Sequence, residues 1–305
     1  MLSIIIPTHN RLEMLKELLK SLEKQTFQDI EVVIVSDNCS DGTNNFLLST
    51  QFPPTWKYII NEIPLNAGKS RRKGFLESKG EYVAFIDDDD YFIDPHFYER
   101  VISIFSQYPE LSVVAANSIN KYEDTSKYEK VCINIEGYVK GMEYMSGFQF
   151  KWYKPNPSFA VFRREKLIAA GIDNMYMVND CPLYMRALLV GDIYIESEPV
   201  GIYRLHANNI SKSINADFII ENLEEKNYVY YKLKKKNVDF SISIWWYKIV
   251  RLTIDYFLEA NPSDIETFKV LQWCKRHSHY SILLILYLLK IGYSKRHMIS
   301  LLFLS

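Results

Sequence analysis

The sequence lacks an excess of charge, paired cysteines and a long apolar run. Its 305 residues carry a formal net charge of −1 at pH 7, so no overall attraction to nucleic acid or to an anionic membrane is expected. The four cysteines are far apart and form no CxxC pair, which argues against a zinc site or a disulfide framework and indicates reduced thiols. No stretch reaches the roughly 18 apolar residues that a membrane-spanning helix needs, and the nearest candidate, residues 282–289, is too short.

The first residues also lack the pattern of a secretory signal peptide. Met1 is followed at once by a strand-like apolar run, with no basic segment before it. Together with the reduced thiols, this predicts a cytoplasmic protein, a location that is compatible with binding at the inner face of the cell membrane.

Apolar and aromatic residues are, by contrast, plentiful. Hydrophobic residues make up 48% and charged residues 24% of the chain, which allows a sizeable core and argues against disorder. The 22 tyrosines and 17 phenylalanines suit a protein that handles sugar rings or lies near a lipid surface. Core packing is the alternative for any single aromatic residue.

The first hundred residues alternate between apolar strands and helices, which predicts an α/β fold. Strands without polar alternation, separated by helices, indicate a Rossmann-like, mostly parallel central sheet with flanking helices. Such sheets bind ligands beyond the carboxyl ends of their strands, where three of these strands end in polar clusters. The predicted strands are 2–6, 30–35, 56–60 and 82–86, and the predicted helices are 11–24, 43–48 and 69–78.

The pattern is mixed in the second third of the chain and helical beyond it. We predict a strand at 112–116, a loop-rich stretch over 122–156, and helices over 97–107, 164–170 and 182–190. A change to basic and aromatic composition places a domain boundary after residue 216. The predicted domains are an α/β domain at 1–216 and a helical C-terminal region at 217–305.

Four consecutive aspartates, Asp87 to Asp90, follow the predicted fourth strand. Adjacent carboxylates repel one another and destabilise a fold unless a cation neutralises them. Mg²⁺ and Mn²⁺ prefer oxygen ligands, and their remaining coordination positions can take diphosphate oxygens. The cluster therefore predicts a divalent-metal site, and a solvated acidic turn is the alternative.

Four motifs occur in order along the first part of the chain: SIIIPTHNR, VIVSDNCSDGT, an N-x-G-x-S segment and GEYVAFIDDDDYF with its Asp-x-Asp. With these motifs the sequence resembles the inverting glycosyltransferases of family two, which have the GT-A fold. The resemblance covers roughly residues 1 to 210. It implies that the domain at 1–216 is catalytic, with a nucleotide-sugar half at 1–95 and an acceptor half at 96–216.

For the nucleotide, the resemblance implies a pocket at the ends of the first two strands. Pro7 and Thr8 would line the pocket for the base, with Asn10 and Arg11 close by. Asp37 would accept a hydrogen bond from the imide N–H of uracil or thymine, so the resemblance implies a pyrimidine nucleotide.

For the metal and the ribose, the resemblance points to the aspartate cluster. Asp87 would hold the ribose or a metal-bound water, Asp88 would lie in the nucleotide site, and Asp89 would ligate Mg²⁺ or Mn²⁺ directly. His206, in the Tyr-Arg-Leu-His segment, would complete the metal shell or contact the diphosphate, and a structural histidine is the alternative.

The chain departs from the family at the third motif. The family usually has Ala-Arg-Asn after N-x-G-x-S. In this chain the motif runs from Asn66 through Gly68 to Ser70, and the segment that follows it is shorter than in the family. Counting back from Gly74 puts Arg71 at the nucleotide-contacting position, with Arg72 as its rival. An arginine beside a diphosphate makes charge-assisted hydrogen bonds, and an exposed basic helix face is the alternative.

On the acceptor side, the resemblance implies that Asp180 is the general base. The family has a Glu-Asp pair here, and Asn179 replaces the glutamate, which leaves the tuning of the base open. An inverting transfer needs one carboxylate to remove the proton of the acceptor hydroxyl. Asp180 as the N-cap of the next helix is the alternative, and the two roles are compatible. Trp152, in a loop with Tyr153 and Asn156, is predicted to stack on an acceptor sugar or to pack in the core.

The C-terminal region interleaves basic and aromatic residues, which suits the headgroup zone of an anionic membrane. A helical bundle that packs on the catalytic domain or forms a homodimer is the alternative. The residues concerned are Lys232, Lys234, Lys235, Lys236, Trp245, Trp246, Lys248 and Arg251.

These observations predict an inverting, metal-dependent glycosyltransferase. We expect it to move a hexose or N-acetylhexosamine from a UDP-sugar to a glycan or polyprenyl-linked acceptor, in the synthesis of capsule or another cell-surface polysaccharide. A nucleotidyltransferase is disfavoured because no Gly-rich, basic loop follows the first strand. An inactive nucleotide-binding relative that serves as an assembly partner is the alternative.

Overall fold

The computed structural model describes residues 1–151, 154–206, 215–277 and 287. It divides the chain into two compact units, Met1–His206 and Ala207–Ser305. The first unit is an α/β domain whose central sheet is flanked by helices, so the predicted fold class is confirmed. All four cysteines are free thiols.

The elements of the first unit alternate between strand and helix up to residue 85. The strands are β1 (Leu2–Thr8), β2 (Ile30–Asp37), β3 (Trp56–Asn61), β4 (Tyr82–Phe85), β5 (Tyr91–Phe92), β6 (Leu111–Tyr122), β7 (Lys127–Val131), β8 (Gly137–Val139), β9 (Ala160–Arg163) and β10 (Asp192–Leu205). The helices are α1 (Leu12–Leu22), α2 (Thr43–Ser49), α3 (Ala67–Glu77), α4 (Phe97–Gln107), α5 (Gly141–Gly147), α6 (Arg164–Ala169) and α7 (Asp180–Val190).

The sheet is parallel in its first half and mixed in its second. Its strand order is β3-β2-β1-β4-β9-β6-β10-β5, with β7 paired to β6 and β8 paired to β10. The pairs among β3, β2, β1 and β4 are all parallel, as the continuous apolar runs predict. Strand β9 is antiparallel to both of its neighbours, β4 and β6.

Helices cover the parallel strands through apolar contacts. Every residue of β1 and β2 is buried, which explains why these strands show no polar alternation. Leu15, Leu18 and Leu22 of α1 point into the same core. Gly74 lets α3 approach β1 closely, because a Cβ atom there would lie 2.5 Å from Cγ2 of Ile5.

The stretch 122–156 contains β7, β8 and α5, so the prediction of a loop-rich segment was wrong for those elements. β10 also had no clear signal, because charged residues and Pro199 interrupt its apolar pattern and its pairing with β6 shifts register near that proline. Helix α7 begins at Asp180, two residues before the predicted start at Pro182, with Asn179 as its N-cap.

The second unit is helical in the residues that the structure describes. Its helices are α8 (Ala216–Leu233), α9 (Ile242–Glu259) and α10 (Asp264–His277). Trp245 and Trp246 of α9 are buried, so their prediction as part of a membrane-facing surface was wrong: their rings fill the core between helices. No described helix is both long and apolar enough to cross a bilayer, and the segment 282–289 lies outside the described residues apart from Tyr287.

Candidate active site

The aspartate cluster lies at the carboxyl edge of the sheet, directly after β4. Asp88, Asp89 and Asp90 are buried, and Asp87 is partly exposed. Among the described residues, Asp87, Asp89 and Asp90 each offer an oxygen atom, and these atoms lie within 4.8 Å of one another. A set of hard oxygen donors at this spacing fits Mg²⁺ or Mn²⁺.

Arg71 of α3 joins the cluster to the predicted base. Its Nη2 donates to Asp87, and its Nη1 donates to Oδ1 of Asp180 and to the carbonyl of Val178, each at 3.3 Å. The guanidinium is buried, yet the charges of Asp87 and Asp180 outweigh burial and raise the pKa of Arg71. Arg72, one residue on, instead donates to the carbonyl of Asp173 at 2.9 Å.

Arg11 and His206 approach the cluster from the other side. Nη1 of Arg11 donates to Oδ1 of Asp88 at 2.9 Å and to Oδ2 of Asp89 at 2.6 Å. Nε2 of His206 lies 2.9 Å from the same oxygen of Asp89. Burial raises the pKa of Asp88 to about 6, although the charge of Arg11 lowers it.

Asp90 is the most deeply buried carboxyl group of the cluster. Its Oδ1 accepts from the backbone N–H of Arg204 at 3.2 Å, and its Oδ2 has no hydrogen-bond partner in the part of the chain that the structure describes. Burial, with the charges of Asp89 and Asp87, raises the pKa of Asp90 well above its usual value. An unpartnered buried oxygen beside two further carboxylates fits the chemistry of a cation site.

Asp37, at the end of β2, holds the loop that leads into α3. Its Oδ1 accepts from the N–H of Leu65 at 2.8 Å and from Nδ2 of Asn61 at 3.0 Å, while its Oδ2 accepts from the N–H of Asn66 at 2.8 Å. A carboxylate has about four lone-pair sites, so Oδ2 keeps one for a ligand. Asn66 has a φ of 75° and caps α3 by accepting from the N–H of Lys69.

The ends of β1 and β2 are joined by short polar contacts. Pro7 and Thr8 are buried at the end of β1. Asn10, with a φ of 54°, accepts from the N–H of Ser40 at 2.7 Å and so ties the turn after β1 to the turn after β2.

The predicted base lies at the first turn of α7, against α3. The carbonyl of Gly68 accepts from the N–H of Val178 at 3.0 Å. A Cβ atom on Gly68 would lie 2.7 Å from Oδ1 of Asn179, so the glycine allows this close approach. The Asn179 side chain makes no capping hydrogen bond.

Lys154 is a second cation at Asp180, and sequence reasoning missed it. Its Nζ donates to Oδ2 of Asp180 at 3.1 Å. Burial alone raises the pKa of Asp180, but the charges of Lys154 and Arg71 outweigh burial and lower it. A lysine in a segment predicted as a loop carries no sequence signal of this contact.

Asp87 and Asp180 both line one cavity of about 270 Å³. Its wall combines polar and apolar groups, and it is large enough to hold more than one water molecule. Asn156 lines it and accepts from the N–H of Ser158, whose Oγ in turn accepts from the N–H of Asp87 at 3.1 Å. Trp152 and Tyr153 lie outside the described residues.

Part of the sequence matches a known protein family. The family model "Glycosyl transferase family 2" matches residues 3–171, which is more than half of the chain. The chain belongs to glycosyltransferase family 2. The prediction of the family from its four motifs is therefore confirmed, and the matched region is a transferase domain.

Several curated relatives match parts of this family 2 chain. It is 40% identical over 114 residues to an uncharacterized glycosyltransferase of Haemophilus influenzae, and 35% identical over 91 residues to GalNAc(5)-diNAcBac-PP-undecaprenol beta-1,3-glucosyltransferase of Campylobacter jejuni. These matches span 37% and 29% of the respective relatives. A Nostoc protein, also an uncharacterized glycosyltransferase, is 28% identical over 228 residues and is matched over 68% of its length.

Solved structures share the fold of the family 2 chain. S. aureus TarS, crystallised as residues 1–349 with UDP-GlcNAc, superposes with a TM-score of 0.68 at 18% identity, over 92% of this chain and 81% of that one. The mannosyltransferase PcManGT of Pyrobaculum calidifontis, solved with GDP-Man and Mn²⁺, gives a TM-score of 0.53 at 14% identity, over 96% and 79%. At these identities the likeness shows the fold alone.

Proposed function

We propose that this protein is an inverting, metal-dependent glycosyltransferase that moves a sugar from a UDP-sugar to a glycan or polyprenyl-linked acceptor. The observation that carries the proposal is the shared cavity, in which a carboxylate of the metal-binding type, Asp87, and a candidate base, Asp180, line the same space. A transferase needs both groups within reach of one reacting carbon atom.

The chemistry follows from the roles of these side chains. Asp180 accepts the proton of the acceptor hydroxyl as that oxygen attacks C1 of the sugar from the face opposite the phosphate. Asp87, Asp89 and Asp90 would hold the divalent cation, with His206 beside Asp89. When bound, the cation stabilises the charge of the leaving diphosphate. Arg71, whose guanidinium donates to Asp87 beside the cation site, would also donate to that diphosphate.

The nucleotide would bind at the ends of β1 and β2. The remaining lone-pair site on Oδ2 of Asp37 suits the imide N–H of uracil, beside Pro7 and Thr8. Arg11 and Asp88 would border the nucleotide from the cluster, while Asn10 ties the two turns together. Asn66 and Gly68 would shape the start of α3, and we assign the diphosphate contact to Arg71 rather than to Arg72, which donates to the carbonyl of Asp173.

The substrate classes are supported by the names of related proteins. The UDP-GlcNAc complex of TarS and the undecaprenol-linked substrate in the name of the C. jejuni relative support a UDP-sugar donor and a polyprenyl-linked acceptor. A role in the synthesis of a cell-surface polysaccharide such as capsule follows from that acceptor class. We assign Asn179 and the loop that holds Trp152 to acceptor binding.

We also propose that the catalytic domain is residues 1–216 and that the helical region 217–305 provides a peripheral membrane contact or a homodimer interface. The exposed lysines Lys232, Lys234, Lys235, Lys236 and Lys248 support a contact with anionic headgroups. With Trp245 and Trp246 buried, that contact would depend on charge and on exposed side chains such as Tyr231.

The first test is a thermal-shift panel of UDP, dTDP, GDP and CMP with their sugars, with and without Mn²⁺. A ligand that binds the folded state raises its apparent stability by mass action. We expect a Mn²⁺-dependent shift with one UDP-sugar, lost in Asp89→Ala and kept in Asp180→Asn, which should bind the donor but not transfer the sugar.

Two outcomes contradict the proposal. A flat panel for the wild-type protein would remove the support for Asp37 and Asp89 as ligand-binding residues. Nucleotide binding without turnover in the wild-type protein, with its acceptor present, would favour the alternative of an inactive assembly partner.

A further inference from the structure

Lys154 is a cation that the transfer reaction described above does not use. It precedes the 3₁₀ turn Pro157–Phe159, and its side chain is 23% exposed. Its Nζ lies 3.1 Å from Oδ2 of Asp180, and both residues line the same cavity. Lys154 is therefore partly buried against the candidate base rather than extended into solvent.

The two oxygens of the Asp180 carboxylate have different partners. Oδ1 accepts from Arg71 at 3.3 Å, and Oδ2 accepts from Lys154 at 3.1 Å. Arg71 shares its guanidinium with Asp87 and with the carbonyl of Val178. A diphosphate at Arg71 would compete for that guanidinium, whereas Lys154 on the opposite side of the carboxylate would stay in place.

We propose that Lys154 is a positioning residue for the base: it fixes Oδ2 of Asp180 so that the carboxylate stays ionised and oriented toward the cavity. The inference rests on the proposed role of Asp180. A carboxylate has about four lone-pair sites, so the contacts with Arg71 and Lys154 leave sites for an acceptor hydroxyl.

The proton and the electron pairs balance in this step. The acceptor O–H bond breaks, its proton passes to Asp180, and its electron pair forms the new bond to C1 of the sugar. The bond from C1 to the phosphate oxygen breaks, and its electrons leave with the diphosphate. Lys154 keeps its proton throughout and contacts the base.

Several groups face Asp180 and decide its ionisation. Burial and the negative charge of Asp87, which follows β4, oppose the ionised form. Arg71 of α3 and Lys154 favour it, and Tyr184 and Cys181 lie on the same helix as Asp180. Without Lys154, of these two cations only Arg71 would offset burial and the charge of Asp87, so Asp180 would hold its proton to higher pH.

The first test measures the ionisation of Asp180 directly and needs no substrate. In protein labelled with ¹³Cγ-aspartate, the Asp180 resonance is assigned by its loss in Asp180→Asn and followed against pH by NMR. We expect Lys154→Met to raise the proton affinity of Asp180 by about tenfold or more, since a neighbouring opposite charge shifts a carboxyl pKa by about one to three units. Lys154→Arg should keep the wild-type midpoint.

The second test measures turnover as UDP release from a UDP-sugar with Mn²⁺, with water as the acceptor. We expect Lys154→Met to lower kcat by about 10- to 100-fold, the range for the loss of a charge-assisted hydrogen bond, with KM for the donor nearly unchanged. The loss should be larger at the acid end of the pH profile, and Lys154→Arg should restore most of the activity. Lys140→Met is the matched control, because Lys140 is exposed and pairs with Asp192 at 3.2 Å.

The outcomes separate this inference from the proposed function. If the wild-type protein neither binds nor cleaves any UDP-sugar, the proposed function fails, and the NMR midpoint still decides whether Lys154 controls Asp180. An unchanged midpoint in Lys154→Met overturns the inference. A loss of kcat that is equal at all pH values, or that Lys154→Arg does not restore, also overturns it.

Discussion

Replacing Arg71 with methionine tests how the aspartate cluster is stabilised in the absence of ligand. Arg71 is 7% exposed and bridges Asp87 and Asp180, whose side chains are 28% and 34% exposed. Removing one partner of a fully buried ion pair costs about 3–5 kcal/mol, because it leaves an uncompensated charge. Since both carboxylates are partly exposed to water, we expect a smaller cost of about 2–3 kcal/mol.

That cost has a measurable size and a matched control. For a unit of roughly 200 residues, a loss of 1 kcal/mol lowers Tm by about 2–4 °C, so Arg71→Met should lower Tm by about 4–12 °C. Arg72→Met removes the same charge one residue later, where the half-buried guanidinium donates to the carbonyl of Asp173, and should cost about 1 kcal/mol or less. Calorimetry of both variants without metal or nucleotide gives the comparison.

The loss should also depend on pH. Burial already raises the pKa of Asp87 although Arg71 lowers it, so removing Arg71 raises that pKa further. A group with a raised folded-state pKa loses its contribution to stability as the pH rises through that pKa. Asp180, whose pKa is lowered partly by Arg71, contributes stability above its unfolded-state pKa, and that contribution shrinks in the variant.

Both effects make the loss of folding stability in Arg71→Met larger at neutral pH than in mild acid. The reasoning is refuted if Arg71→Met and Arg72→Met unfold at the same temperature. It is also refuted if the difference in stability between the two variants stays constant from acid to neutral pH.

Two further substitutions test the packing around the site and in the helical unit. Gly68→Ala would place Cβ 2.7 Å from Oδ1 of Asn179 and 2.9 Å from Cβ of Met177, so the segment before Asp180 must shift. Turnover should therefore fall by up to about 100-fold. Turnover at the wild-type rate would contradict the prediction. Trp246→Ala should destabilise the second unit by about 3–5 kcal/mol, because the ring is fully buried. Urea unfolding followed by circular dichroism measures this loss. A loss as small as that of the exposed control Lys235→Ala would contradict the prediction.

The parallel half of the sheet could be predicted from the sequence because the burial of each residue there sets the local sequence pattern. β1 and β2 are buried on both faces, so their apolar runs are uninterrupted. The leucines of α1 repeat at helical spacing because one face of that helix packs on the sheet. Local pattern and tertiary environment agree in these elements, and Asp87 to Asp90 follow at a predictable edge.

The second half could not be predicted in the same way, because its contacts are made between distant segments. β10 carries charged residues and Pro199, and pairing with β6 and β8 rather than local pattern makes it a strand. Lys154 and Asp180 are 26 positions apart in the sequence, and the folded chain brings them together. Trp245 and Trp246 show the reverse case: they stand beside lysines in sequence, yet the helical packing buries them.

Strand β9 has a consequence for how the specificity of such a domain can change. It runs antiparallel between β4 and β6, so its four residues fix the sheet on both sides. The segment just before it carries Lys154, and Ser158 accepts from the N–H of Asp87. Helix α5 is anchored as well, because its Tyr144 is buried and Phe148 just after it packs against Tyr184 of α7, the helix that begins at Asp180. For protein engineering, a new acceptor loop is therefore best joined after Phe148 and before Lys154, so that both anchored segments are kept.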